Sequence, residues 1–299
     1  MERKRASDFP QELLDLFQRH VHGEIGRAAF LHEAQRFAIG GMTAAGLLAA
    51  LKPNYALAQQ VPPDDKRIRI QKVDIPSPQG NGSVNGYLAG PASPGSRLPC
   101  VVVVHENRGR TPYIEDVARR LASAGYLALA PDGLTSLGGF TGDDERSAEL
   151  FARVDRAKMF EDFAAATTWL NARPQRTGKL GTMGFCFGGG VANALAVRFP
   201  DVVAAAVPFY GAPPAAADVP TMHAAVLAHF AELDTRLTAL WPAYDAALSA
   251  AGLPHAGYVY AKANHGFHND TTPRYDEAAA KLAWQRSLDW FGRYLNVAG

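Results

Sequence analysis

The stretch that most constrains this chain is residues 179–190, KLGTMGFCFGGG. Gly184-Phe185-Cys186-Phe187-Gly188 has the small-x-nucleophile-x-small form that forces one residue onto a sharp turn between a strand and a helix. Glycine suits the flanks of such a turn because a Cβ there would strike the neighbouring backbone. Upstream, residues 180–185 predict a short buried strand; downstream, the small and apolar residues 191–197 predict a buried helix. A thiol on this turn sits at the amino end of a helix, where unpaired amides and the dipole favour the thiolate. The position suits covalent catalysis, and the competing reading is a small buried residue in a packing turn.

The chain around it alternates strand and helix signals. Residues 66–75 alternate charged and apolar side chains and predict an edge strand, paired with a second at 84–89 across a Gly80-Asn81-Gly82 loop. Residues 98–104, with four consecutive valines, predict a central strand buried on both faces. Strands are also expected at 126–130, 202–210, 224–230 and 257–260. Helices are expected at 113–124, at 146–172 as one long or two broken segments, at 239–251 and at 275–295. Such alternation predicts a doubly wound, mostly parallel α/β sheet, whose sites lie beyond the carboxyl ends of its strands.

Residues 1–60 differ from the rest and predict a helical extension ahead of an α/β domain at 61–299. The uncharged run 37–51 is short for a membrane span and suits the apolar region of a signal peptide, followed by the small-x-small site Ala56-Leu57-Ala58. Ahead of it, Gly26-Arg27-Ala28-Ala29-Phe30-Leu31 looks like a twin-arginine motif without its second arginine. Two outcomes follow: helices docked on the α/β domain of a cytoplasmic protein, or a segment cleaved on export to the periplasm. Stable membrane insertion is not expected. The net charge of +1, with dispersed basic residues, argues against a nucleic-acid partner. The two cysteines, Cys100 and Cys186, have no metal-ligand spacing and suggest no disulfide framework. Oligomeric state is not legible.

Asp234, in Ala231-Glu232-Leu233-Asp234, follows one expected strand, and His265, in Asn264-His265-Gly266-Phe267, follows another. The order nucleophile, acid, His is that of α/β-hydrolases, with Glu232 and His268 as competitors for the last two places. Together with Glu106 in His105-Glu106-Asn107-Arg108-Gly109, these motifs resemble the dienelactone hydrolase (carboxymethylenebutenolidase) family over about residues 66 to 297. The resemblance implies an α/β-hydrolase fold, no metal or organic cofactor, and hydrolysis of a small-molecule ester or lactone through a thioester. It implies too that Glu106 accepts a hydrogen bond from the resting thiol and helps to activate it. On this reading His265 is base and then acid, Asp234 holds its tautomer, and the N–H groups of Phe187 and Asn107 form the oxyanion hole. Dienelactone hydrolases hold a substrate carboxylate with arginines, one shortly after the catalytic His. Here that stretch reads Phe267-His268-Asn269-Asp270 with no arginine until Arg274, which points to a different ester or lactone. Arg108 and Arg274 are the candidate replacements, and Tyr113, Phe140 and Tyr210 the candidate pocket walls. A redox-switched or ligand-binding fold member, and acyl transfer to an acceptor other than water, are the alternative readings.

Overall fold

The computed structural model describes residues 4–38, 42–57, 59–94 and 97–295. Residues 39–41 of the apolar run, and Ala58 of the small-x-small site, therefore lie outside the described residues. The chain opens with three helices, α1 (Gln11–Val21), α2 (Arg27–Ala34) and α3 (Ala44–Leu51). Leu13, Leu14, Leu16 and Phe17 of α1 pack with Phe30, Ala34, Leu47, Leu48 and Leu51 into a core of their own. Much of the apolar run thus forms a short helix buried against two others, and Gly23, at a φ of 79°, ends α1 and turns the chain back.

The rest runs β1 (Ile68–Ser77), β2 (Gly82–Pro91), β3 (Leu98–Val104), α4 (Pro112–Ser123), β4 (Leu127–Pro131), α5 (Asp144–Arg153), α6 (Arg156–Asn171) and β5 (Arg176–Phe185). It continues α7 (Phe187–Arg198), β6 (Val203–Phe209), β7 (Ala225–Ala231), α8 (Thr235–Thr238), α9 (Trp241–Ala250), β8 (His255–Tyr260) and α10 (Glu277–Leu295). The expected segment 146–172 is two helices because Asp155 stops one and caps the next, accepting from the N–H groups of Ala157 and Lys158. The eight strands lie in the order β1-β2-β4-β3-β5-β6-β7-β8, with β2 antiparallel to both neighbours and the others parallel. Helices α4 and α10 cover one face, and α6, α7 and α9 the other.

Register delivers the site. Val104 pairs with Gly184, so Glu106 and Cys186, each two residues further on, leave adjacent strands side by side. Ala231 pairs with Tyr260, which brings the loops carrying Asp234 and His265 together. The His265 loop is tied to α4 by the buried Arg120, whose guanidinium bridges Asp116 and Asp270. Among the described residues, no helix is long and apolar enough to cross a membrane. Both cysteines are free.

Candidate active site

Cys186 sits between β5 and α7 with φ 56° and ψ −117°, a conformation that a side chain adopts only when its surroundings impose it. Its N–H donates to Phe209 O at 3.0 Å, and its own carbonyl accepts from Gly189 N at 3.0 Å. A Cβ on Gly184 would run into the backbone of Gly188, and one on Gly188 into the carbonyls of Val104 and His105. The Phe187 N–H is directed at the thiol. Even so, burial first and the Glu106 charge second push the thiol up to about 12. This corrects the expectation that the helix terminus yields a thiolate: the dipole is outweighed by the cost of burying charge.

His265 is buried, and its Nδ1 meets Asp234 Oδ2 at 2.6 Å, while its Nε2, also buried, has no hydrogen-bond partner. Burial lowers the imidazole despite the neighbouring carboxylate. Burial would raise Asp234, but the hydrogen bond and charge of His265 outweigh it and hold the carboxyl low. The competitors face elsewhere. Glu232 is exposed and accepts from Lys262 N at 2.7 Å, and His268 is buried with its Nδ1 on the Tyr113 hydroxyl at 2.7 Å.

Glu106 accepts from Asn269 Nδ2 at 2.7 Å, and burial raises its carboxyl against the pull of Arg274 and Asn269. The thiol does not turn to it. The partner within reach of Sγ is His22 Nε2 at 3.6 Å, from the turn after α1, and that ring lies edge-on to His265 with centroids 4.8 Å apart. His22 is held down to about 3 by burial and then by His265.

The extension roofs the site. Gln11 Nε2 donates to Asn264 Oδ1 at 2.7 Å and Gln18 Nε2 to Asp234 Oδ1 at 3.4 Å. The Val21 carbonyl, freed where α1 ends, accepts from Asn107 Nδ2 at 2.8 Å and from Arg108. Phe17 lies beneath the Arg274 guanidinium, which is buried and has no partner for its Nε or Nη1. Beneath this roof is a chamber of about 60 Å³, room for a few waters, whose lining includes Glu106, Arg108, Arg274, Tyr55 and Cys186. An open groove of about 520 Å³ also reaches His22 and Cys186 and is lined by Phe151, Phe187, Val191, Tyr210, Ala212 and Leu237.

Tyr210 thus borders the groove although its side chain is fully buried, while Arg108 and Arg274 line the chamber. Two other expected walls do neither. Tyr113 is fully buried, because its ring packs on Phe185 and its hydroxyl on His268. Phe140 meets Tyr55 edge-on and faces a separate cleft with Arg110 and Asp132. Sequence reasoning missed His22, Gln18, Phe17 and Asn269. The one signal for the first was a His-Gly pair closing an amphipathic helix.

The sequence pattern of the Dienelactone hydrolase family matches residues 84–295, and that of a YqhI-like family matches residues 1–38. A protein of Salmonella typhi provisionally named a carboxymethylenebutenolidase is 33% identical over 244 residues, covering 77% of this chain and 89% of that protein. The Escherichia coli K12 hydrolase fragment YghX, likewise provisionally named, is 58% identical over 114 residues, 38% of this chain and 97% of the fragment. A crystal structure from Klebsiella pneumoniae, provisionally called a dienelactone hydrolase, superposes with a TM-score of 0.68 at 30% identity, covering 76% of this chain and 99% of that one.

Proposed function

This chain belongs to the dienelactone hydrolase family, and from that premise we propose that it cleaves a small ester or lactone through Cys186, His265 and Asp234 by way of a thioester. With the thiol held near 12, it rests protonated and must be activated at each turnover. Sγ turns from His22 to His265 Nε2, gives up its proton there and bonds to the acyl carbon. The departing alkoxide takes that proton from His265. A water then loses its proton to His265 and attacks the thioester, and Sγ leaves, taking that proton back from His265. Asp234 keeps the accepting nitrogen of His265 turned to Sγ and stabilises the imidazolium. The N–H groups of Phe187 and Asn107 receive the oxyanion, and Glu106, beside the thiol, assists its activation.

The groove, apolar along Phe151, Phe187, Val191 and Leu237, takes the larger part of the substrate. Arg108 and Arg274 meet an anionic group of the substrate at the chamber, where Arg274 is buried with donors to spare. We assign residues 1–60 to a docked extension that completes the site of the domain at 61–299.

The observation that carries the reading is a buried Asp234–His265 pair at 2.6 Å with an unpartnered Nε2, next to a strained Cys186 that its own helix N–H faces. Cys186→Ala is expected to lower turnover of a short-chain aryl ester by about 1000-fold or more with the fold intact by circular dichroism. Acid quenching of the wild-type enzyme during turnover should leave an acyl group on the Cys186 peptide by mass spectrometry. Unchanged turnover in the variant would sink the proposal.

A further inference from the structure

The docked extension does more than roof the site, because it places a second imidazole on the nucleophile. One nitrogen of His22, the sulfur of Cys186 and one nitrogen of His265 all lie within 4.8 Å of one another. Cys186 Sγ and His22 Nε2 are 3.6 Å apart. Around a tetrahedral zinc ion, with bonds near 2.0–2.1 Å to nitrogen and 2.3 Å to sulfur, ligand atoms sit roughly 3.5 Å apart, so one pair is already at bonding separation. The other separations are at most 4.8 Å, so His265 has to close on the pair by no more than about 1.3 Å. His265 Nε2 is buried without a partner, and its other nitrogen is fixed by Asp234. A carboxylate on the far side of a ligating imidazole is the support that metal-bound histidines characteristically have.

We propose that His22, Cys186 and His265 form a binding site for one thiophilic divalent cation of the zinc class, and that its occupancy silences the nucleophile. The two imidazoles bind through lone pairs on Nε2, and the thiol releases its proton to solvent as the sulfur–metal bond forms. The three ligands line the open groove, which leaves the fourth position to water. The charges around the site are mixed. Glu24 and Arg236 line the same groove, Asp234 lies behind His265, and Glu106 and Arg274 lie across the chamber. One sulfur and two nitrogens suit zinc, cobalt(II) and their neighbours rather than magnesium or calcium, which seek oxygen. His22 comes from the extension, so the full site exists only while the roof is in place. A cation there would hold the roof and the catalytic domain together.

The coordination is independent of the hydrolase reading, whereas the silencing rests on the role given to Cys186, and the test reads the two separately. Full-length, metal-free protein is titrated with cobalt(II) chloride. The expected result is one equivalent bound, with a thiolate-to-cobalt charge-transfer band and the visible bands of four-coordinate cobalt, all removed by zinc. His22→Ala and His22→Gln should each weaken cobalt binding by at least about 10-fold, what losing even an outer-shell partner of a ligand costs, while the far-ultraviolet spectrum and melting temperature stay those of the wild type. Absence of the charge-transfer band, or wild-type affinity in both His22 variants, would overturn the site. One equivalent of zinc should also stop aryl-ester turnover, with recovery on adding EDTA. Turnover that continues with zinc bound would overturn the silencing. Wild-type protein that binds cobalt as expected yet cleaves no ester before metal is added would instead count against the hydrolase proposal.

Discussion

At Cys186 the backbone itself is the constraint. The residue sits at φ 56°, and the neighbouring glycines are not equivalent. A Cβ on Gly188 meets the carbonyls of Val104 and His105, backbone atoms that cannot move without displacing the end of β3. At Gly190, three residues before Asn193 on the same helix, the nearest atoms to an added Cβ lie at 3.7 Å or beyond, which is ordinary contact. Gly188→Ala is therefore expected to cost about 3 kcal/mol or more by urea unfolding, and Gly190→Ala less than about 1 kcal/mol. Equal losses would mean that the turn is softer than its geometry implies. The Asp234–His265 pair gives the second residue-scale prediction. Asp234→Asn presents an amide where the imidazole needs an acceptor, which favours the wrong tautomer. It should lower kcat for an aryl ester by about 1000-fold or more while KM moves little. A loss confined to KM would show that Asp234 serves binding instead.

Among the elements, α1 carries the most consequence for its length. It buries Leu13, Leu14, Leu16 and Phe17 in the extension's own core, and its outer side chains Gln11 and Gln18 reach Asn264 and Asp234. Leu13→Ala should cost the extension about 2–5 kcal/mol. Limited proteolysis should then cut within residues 4–57 faster than in the wild type, and a thiol reagent should reach Cys186 faster, while the main unfolding transition of the α/β domain is unchanged. A single, lowered transition would show that extension and domain unfold as one unit. The strands of that domain were legible in the sequence because burial on both faces demands unbroken apolar runs such as residues 101–104, and the elbow was legible because its glycines are dictated by local sterics. The candidate nucleophile, acid and His could be found because each follows a strand end. The thiol's state was not legible. A helix terminus can be read from sequence, but the burial that outweighs it is a property of the assembled site. His22 was hidden for a related reason: its contact with Cys186 spans 164 residues, and no local pattern encodes which loop a roof will fold over. The aromatic walls show the same limit, since Tyr113 and Tyr210 have the same side chain, both are fully buried, and only packing decides which one borders the groove.

On the scale of the whole molecule, the sheet and its last helix are joined by one buried imidazole. His229 lies on β7 with Nδ1 at 2.9 Å from the Tyr260 hydroxyl on β8 and Nε2 at 3.0 Å from Ser287 Oγ on α10. Ser287 Oγ donates to Ala283 O, so it accepts from His229, which puts the ring proton on Nε2. Arg286 donates to the Tyr260 oxygen, whose own proton then goes to Nδ1. Every donor has an acceptor while the ring is neutral. A proton on Nδ1 would face the Tyr260 proton and leave that hydroxyl without an acceptor. Burial first and Arg286 second accordingly hold His229 at about 3. An ordinary histidine, as in the unfolded chain, titrates near 6.5. Between those values the unfolded chain carries a proton that the folded chain refuses, so this group's contribution to stability is full above about 6.5 and is lost as pH falls towards 3. The slope is up to about 1.4 kcal/mol per pH unit. His105 and His268 are also buried with lowered affinity for protons and act in the same sense. Urea midpoints measured from pH 7.5 down to 4.5 should fall steadily for the wild type. In His229→Gln the amide oxygen can accept from Tyr260 and the amide nitrogen can donate to Ser287, but nothing titrates. Its midpoint is expected to be slightly lower at pH 7.5 and to fall less steeply with acid. Parallel slopes for the two proteins would place the acid sensitivity elsewhere in the fold.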